Sequence, residues 1–205
     1  MKKSVLVVFA FVVISCNNDK DSKLDYLNFP SAPCVDLWFK VPDSLFIEIK
    51  DSLKKPTYFC GDGPVPVSEI SRGFISHLLD SPILPQSDSE IYKGLGLYTL
   101  LVRVNKNVLR DQIDHNANRI ASSEDYAFEN SETEVMGLPA KRIVAEFIPT
   151  STTTAKLNHL IYYTCFDYKD FIVEVKYEVM CDDCKKLKHE NVYNTILKSF
   201  SNGRS

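Results

Sequence analysis

Apolar and polar positions alternate with a period of two along most of this chain, and the period lengthens towards four in three places. Val35, Leu37, Phe39 and Val41 alternate with Asp36, Trp38 and Lys40, which predicts a strand over residues 35–41. Pro42-Asp43 turns the chain. Leu45, Ile47 and Ile49 then alternate with Phe46 and Glu48 as the hairpin partner of that strand. Gly61-Asp62-Gly63-Pro64 reads as a loop. Over residues 68–80, Ile70, Phe74 and Leu78 recur at every fourth position behind Ser68, a helix-capping residue, so a short helix is expected. Residues 81–90, with Pro82 and Pro85, form a surface connection. Residues 96–104 make a strongly apolar strand. Asn107 can cap a second helix, with Leu109, Ile113, Ala117 and Ile120 on one face and Arg110, Asp111, Asp114 and Asn118 on the other.

The second half returns to period two. Residues 126–136 are a polar strand, and Gly137-Leu138-Pro139 turns into residues 140–148, where Ile143, Ala145 and Phe147 face one way. A polar tip at residues 150–154 leads to strands over 157–166 and 171–180, joined across Asp167-Tyr168-Lys169-Asp170. In the latter, Phe171, Val173, Val175, Tyr177 and Val179 alternate with Glu174, Lys176 and Glu178. A helix over 184–200 closes the chain, with Leu187, Val192, Ile196 and Phe200 towards the core. Consecutive antiparallel strands with few helices define an α+β fold, an antiparallel β-sheet with packed helices. One core face is expected from Val173, Val175, Tyr177, Ile143, Phe147, Ile113, Ile120, Ile196 and Phe200.

The N-terminus follows neither period. Lys2 and Lys3 precede an apolar run from Val5 to Ile14, and Cys16 closes it. The run is shorter than the roughly 20 residues of a spanning helix, and its basic start suits a signal peptide. A buried N-terminal strand and an ordinary signal peptide with an incidental cysteine compete with this reading. The unpackable Asn17-Asn18-Asp19-Lys20-Asp21-Ser22 argues against the strand. Val13-Ile14-Ser15-Cys16 resembles the lipobox of bacterial lipoproteins. That resemblance implies a thioether-linked diacylglycerol on Cys16, cleavage before it and acylation of its amine. Its lipid chains exceed the two signals that stable anchoring takes. Asn17, where an Asp would favour the inner membrane in that family, implies the outer membrane of the cell envelope. The expected organisation is a signal peptide at 1–15, a lipid-anchored tether at 16–32 and a single domain at 33–202.

The formal charge of −3 includes Lys2 and Lys3, so the processed chain carries −3 − 2 = −5. An acidic chain argues against nucleic acid as a partner, because that affinity rests on neutralising phosphates. An apolar content of 44%, with 10 Tyr and 12 Phe, suffices for a core.

From residue 97 to residue 200 the order of elements resembles the PsbP-like superfamily, which includes the Mog-type and DcrB-type bacterial proteins. Val135-Met136-Gly137-Leu138-Pro139-Ala140-Lys141 and the terminal Tyr193-Asn194-Thr195-Ile196-Leu197-Lys198-Ser199-Phe200 carry the likeness. Phe39-Lys40-Val41-Pro42 is similar to its opening strand and turn. The resemblance implies an α/β/α sandwich and no shared catalytic residues. The cysteines stand outside its pattern.

Five cysteines remain besides Cys16, so at least one thiol is left unpaired within the chain. Cys34 and Cys60 bracket the first hairpin and are expected to pair, as are Cys181 and Cys184, leaving Cys165 free in mid-strand; the competing arrangement pairs Cys165 with a neighbour on the adjacent strand. Cys181-Asp182-Asp183-Cys184 also admits a zinc half-site with His189, a redox pair or free thiols. Its two aspartates oppose the lowered thiol pKa that redox work needs, and no second Cys-x-x-Cys completes four zinc ligands. Gly94-Leu95-Gly96 lacks the third glycine and the following helix of a phosphate loop. His77, His115, His159 and His189 are scattered. Glu129, Glu132 and Glu134 read as a solvated strand face, and Lys185, Lys186 and Lys188 as a solvated helix face. No catalytic residue, metal or cofactor is assigned. The function expected is a non-catalytic interaction module anchored through Cys16, binding an envelope protein or peptide. A small-molecule- or lipid-binding lipoprotein is the alternative, and an envelope enzyme or redox protein comes third.

Overall fold

A computed structural model describes residues 26–29, 32–43, 45–49, 59–60, 68–76, 97–120, 124–148, 158–181 and 186–203. The signal run, Cys16, residues 61–64, 81–90 and 150–154, Gly94-Leu95-Gly96, His77, Lys185, Cys184 and the Cys181 side chain lie outside them.

The architecture is α+β. The strands are β1 (Leu37–Trp38), β2 (Phe46–Ile49), β3 (Glu69–Ser76), β4 (Leu97–Lys106), β5 (Tyr126–Val135), β6 (Leu138–Phe147), β7 (Asn158–Tyr168), β8 (Phe171–Cys181) and β9 (Ser201–Asn202). Helix α1 (Arg110–Ile120) follows β4 through a 3-10 turn at Asn107–Leu109, and α2 (Lys186–Lys198) follows β8. Seven strands form one antiparallel sheet in the order β2-β3-β4-β8-β7-β6-β5.

Three expectations from period are corrected. The segment expected as a helix at 68–80 is strand β3 as far as Ser76. Ile70 and Phe74 lie four apart, a spacing that fits one face of a strand as well as one face of a helix. The two side chains point to the core together, with Phe74 opposite Leu100 on β4. Second, β2 does not pair with the strand before it. It pairs with β3, and Phe46 is buried while Ile49 is exposed, the reverse of the expected face. Residues 35–41 instead give only the short β1, which pairs with β9, and a bridge from Phe39 back to Leu27. Third, the turn between β5 and β6 is Met136-Gly137, with φ of 58° and 74°, and not Gly137-Leu138-Pro139. Two residues at positive φ match the twist of a tight hairpin. Pro139 sits inside β6, one residue before the ladder to β7 begins at Ala140, so its missing N–H breaks no bond there.

The core has two faces, where one was expected. Val173, Val175, Tyr177 and Val179 of β8 join Leu100, Val102, Tyr162 and Phe166 beneath α2. Tyr162, Tyr177 and Tyr193 pack ring to ring there, with centroids 5.4–6.1 Å apart. The N-terminal segment completes this layer. Phe29 is buried, and Phe39 stacks on Phe200 at 5.2 Å. Packing thus already includes Leu27 and Phe29, inside the stretch read as tether. Ile143, Tyr163 and Ala117 form a separate cluster on the opposite face, beneath α1. Ile143 and Val175 belong to different faces because adjacent strands are registered Ile143↔Tyr163 and Thr164↔Val175. On α2, Leu187 is 71% exposed, contrary to the face assigned to it, and Tyr193 takes the central buried place. Asn107 does not cap α1. Lys106 holds the cap position of the preceding 3-10 turn without a side-chain bond, and Asn107 accepts from Arg110 at 3.3 Å.

Candidate functional site: a groove with charged walls beside helix α1

Helix α1 packs on β6 and β7 through Ala117, Ile143 and Tyr163 and leaves a groove of about 880 Å³ between itself and the β5–β6 hairpin. Lys141 and Cys165, cross-strand neighbours on β6 and β7, form the floor. Arg110, Ile113 and Asp114 of α1 form one wall, and Asn130, Glu132 and Glu134 of β5 form the other. Arg110 is held at the groove's end by an ion pair with Asp167. That bond raises the guanidinium pKa further.

A buried carboxylate lies on the neighbouring strand. Glu174 of β8 is opposite Cys165 and 5% exposed, although the alternation of β8 reads it as solvated. Tyr163 donates its hydroxyl to Glu174 Oε1 at 2.7 Å, and Asn105 donates Nδ2 to Oε2 at 2.8 Å. Arg103 approaches Oε2 at 3.7 Å and also pairs with Glu69 at 3.1 Å. Both oxygens of Glu174 therefore have donors inside the protein. Burial pushes the Cys165 thiol pKa up; Lys141 opposes this and Glu174 adds to it. A protonated thiol is a weak nucleophile, and Glu174 is committed to its own donors. This arrangement braces the sheet and presents a charged surface in the groove.

The residues singled out in the sequence are dispersed. Cys34 and Cys60 form a disulfide with Cα atoms 5.7 Å apart. It lies by the N-terminal segment, where the adjacent Phe59 packs on Phe171 at 5.3 Å. Cys165 is a free thiol, partly buried in the groove floor. Glu132 and Glu134 face the groove, while the alternation of β5 sends Glu129 to the other side. His159 and His189 each bond a tyrosine hydroxyl through Nδ1, Tyr126 at 2.7 Å and Tyr177 at 2.8 Å. Burial lowers the pKa of both histidines. Lys186 pairs with Glu146 at 3.1 Å. The groove itself, Lys141 and the Glu174 cluster were not identified from sequence. The partners of Glu174 become visible only through strand register.

No protein-family model and no curated protein matches this sequence. Among solved structures, the chain is similar to LpqN, involved in cell envelope biogenesis of Mycobacterium tuberculosis. The TM-score is 0.44 at 9% identity, over 80% of this chain and 82% of that one. It is also similar to PA94 of Pseudomonas aeruginosa, a protein of unknown function. There the TM-score is 0.40 at 6% identity, over 89% of this chain and 99% of that one.

Proposed function

We propose that this chain is a lipid-anchored lipoprotein of the bacterial envelope, held at the outer membrane. Its folded part would be a non-catalytic protein- or peptide-interaction domain of PsbP-like type. The address rests on the basic start, the short apolar run and Val13-Ile14-Ser15-Cys16 before Asn17. The observation that carries the interaction reading is the groove beside α1, with its charged walls and floor. A lipid or small apolar ligand calls for a mostly apolar cavity with few polar groups. Here five charged side chains, Glu132, Glu134, Asp114, Arg110 and Lys141, surround a space also lined by Ile113, Phe166 and Ile172, a mixed lining that suits a peptide with both charged and apolar side chains. Helices on both faces of an antiparallel sheet support the PsbP-like relation.

Two measurements on whole cells check this. Cys16→Ser is expected to leave the membrane fraction and accumulate uncleaved or soluble; retention in the membrane after cleavage would overturn the anchor. A photo-reactive benzophenone side chain placed in turn at Val108, Phe128 and Leu187, all exposed, samples three parts of the surface. At least one position is expected to give a discrete protein adduct. Its absence at all three, with lipid co-purifying instead, would transfer the reading to the lipid-binding alternative.

A further inference from the structure

The two edges of the seven-stranded sheet are built differently. At one end stands β2, four residues long, with Glu48 tied to Arg72 at 2.6 Å. At the other end stands β5, ten residues long and paired along its whole length on one side, to β6. Among the described residues no strand lies on its outer side. Residues 127–132 and Glu134 are exposed, so most of β5 is uncovered on both faces, and only Val135 at its end is buried in the core among the described residues. An edge of this kind offers a row of unpaired backbone N–H and C=O groups, which proteins ordinarily blunt with Lys, Pro, bulges or short length. Tyr126–Val135 has no Lys, Arg, His or Pro and pairs without interruption. It carries Glu129, Glu132 and Glu134, none of them in an ion pair among the described residues.

We propose that β5 is a docking edge, taking an extended Lys- or Arg-rich segment of a partner protein as an added strand. This rests on the protein-interaction reading above and names its site and partner chemistry. Charge complementarity selects the occupant. A basic residue at every second position of the incoming strand falls beside Glu132 and Glu134, on the face that continues into the groove. A second copy is the poorer occupant, because two β5 edges bring six carboxylates to one seam without a cation on either strand.

The probe is a synthetic peptide of about ten alternating Lys and Thr residues, matched in length to β5, added to the full chain in detergent. Hydrogen exchange reads the β5 amides that face away from β6. Protection of these amides by about tenfold is expected, with binding lost as salt rises from about 50 to about 500 mM. A Glu-Thr peptide and a Lys-Thr peptide with alternate N-methylated amides should both fail. Glu132→Lys/Glu134→Lys should exchange the preference to the Glu-Thr peptide. Glu132→Gln/Glu134→Gln, which introduces no charge opposite Lys141, should abolish the preference if the first variant does not fold. Equal protection by both peptides, or by neither, overturns the proposal. So does binding that survives N-methylation, or protection that appears without peptide as protein concentration rises. Adducts from Leu187 or Val108 with none from Phe128 would keep the interaction reading and reject this edge.

Discussion

Glu174 is the residue at which the alternation of β8 stops describing its surroundings. A carboxylate on the polar side of a strand is ordinarily solvated, yet this one is buried on the same sheet face as Tyr163, with donors on both oxygens. Burial drives the Tyr163 hydroxyl pKa far up, with the charge on Glu174 as a further cause, so it remains a donor throughout the working pH range. Hydrogen bonds to a charged group contribute about 1.5–3 kcal/mol. Tyr163→Phe is therefore expected to lower unfolding free energy by about 2 kcal/mol in urea titration. Glu174→Ala should cost more, since it removes the acceptor of both donors and leaves Asn105 Nδ2 only the long bond to the Ile172 carbonyl at 3.5 Å. If Tyr163→Phe left the urea midpoint unchanged, the bond would not hold the cluster together. Nothing in the one-dimensional pattern identifies this cluster. Asn105, Tyr163 and Glu174 lie on three strands, and only the register Asn105↔Ile172 and Cys165↔Glu174 brings them together.

At the scale of elements, the length of a pattern decides how far it can be read, and the short patterns at residues 35–49 and 68–80 are the ones that mislead. Strands β4 to β8 and both helices are legible because their patterns run for ten residues or more. Segment β3 is not, since Ile70 and Phe74 fit either element and Arg72 interrupts the strand alternation. Arg72 is an inward position that reaches the edge, where it meets Glu48 and the carbonyl of Asn28. The pairing of β2 with β3 across residues outside the described set is likewise invisible to local turn chemistry. Two glycines test these assignments with opposite signs. Gly73 in β3 has no positive φ, and a Cβ there would meet only Ile49 Cδ1 at 3.5 Å, an ordinary contact. Gly73→Ala is expected to raise stability by about 0.4–1 kcal/mol by restricting the unfolded chain. Gly137 has open space around it but φ of 74°, so Gly137→Ala meets only backbone strain and should lose about 1–2 kcal/mol. Thermal melts of both variants decide the matter. A destabilised Gly73→Ala would contradict the strand geometry, and a neutral Gly137→Ala would contradict the tight turn.

The whole molecule is closed by its first and last described segments. Phe39 stacks on Phe200, β1 pairs with β9, and Lys40 N–H donates to Ser199 Oγ at 2.8 Å. The Tyr168 hydroxyl donates to the Asp36 carbonyl, which ties this layer to the end of β7. The Cys34–Cys60 bond cross-links that layer to the residue after Phe59, and Phe59 packs on Phe171 at the start of β8. The bridge spans 26 positions in sequence. On the chain-entropy estimate a loop of that length contributes about 3.5 kcal/mol by restricting the unfolded chain. Cys34→Ser/Cys60→Ser should lose about that amount in urea titration, without change in the sheet's far-ultraviolet signature below the transition. Hydrogen exchange should accelerate first in residues 35–41 and 199–202, which lie beside the bridge, and last in β7 and β8 at the centre of the sheet. An even acceleration through β7 and β8 would mean that the bridge stabilises the sheet as one unit with the N-terminal layer. Unchanged stability would mean that the aromatic contacts of Phe39, Phe166 and Phe200 hold the layer in place by themselves.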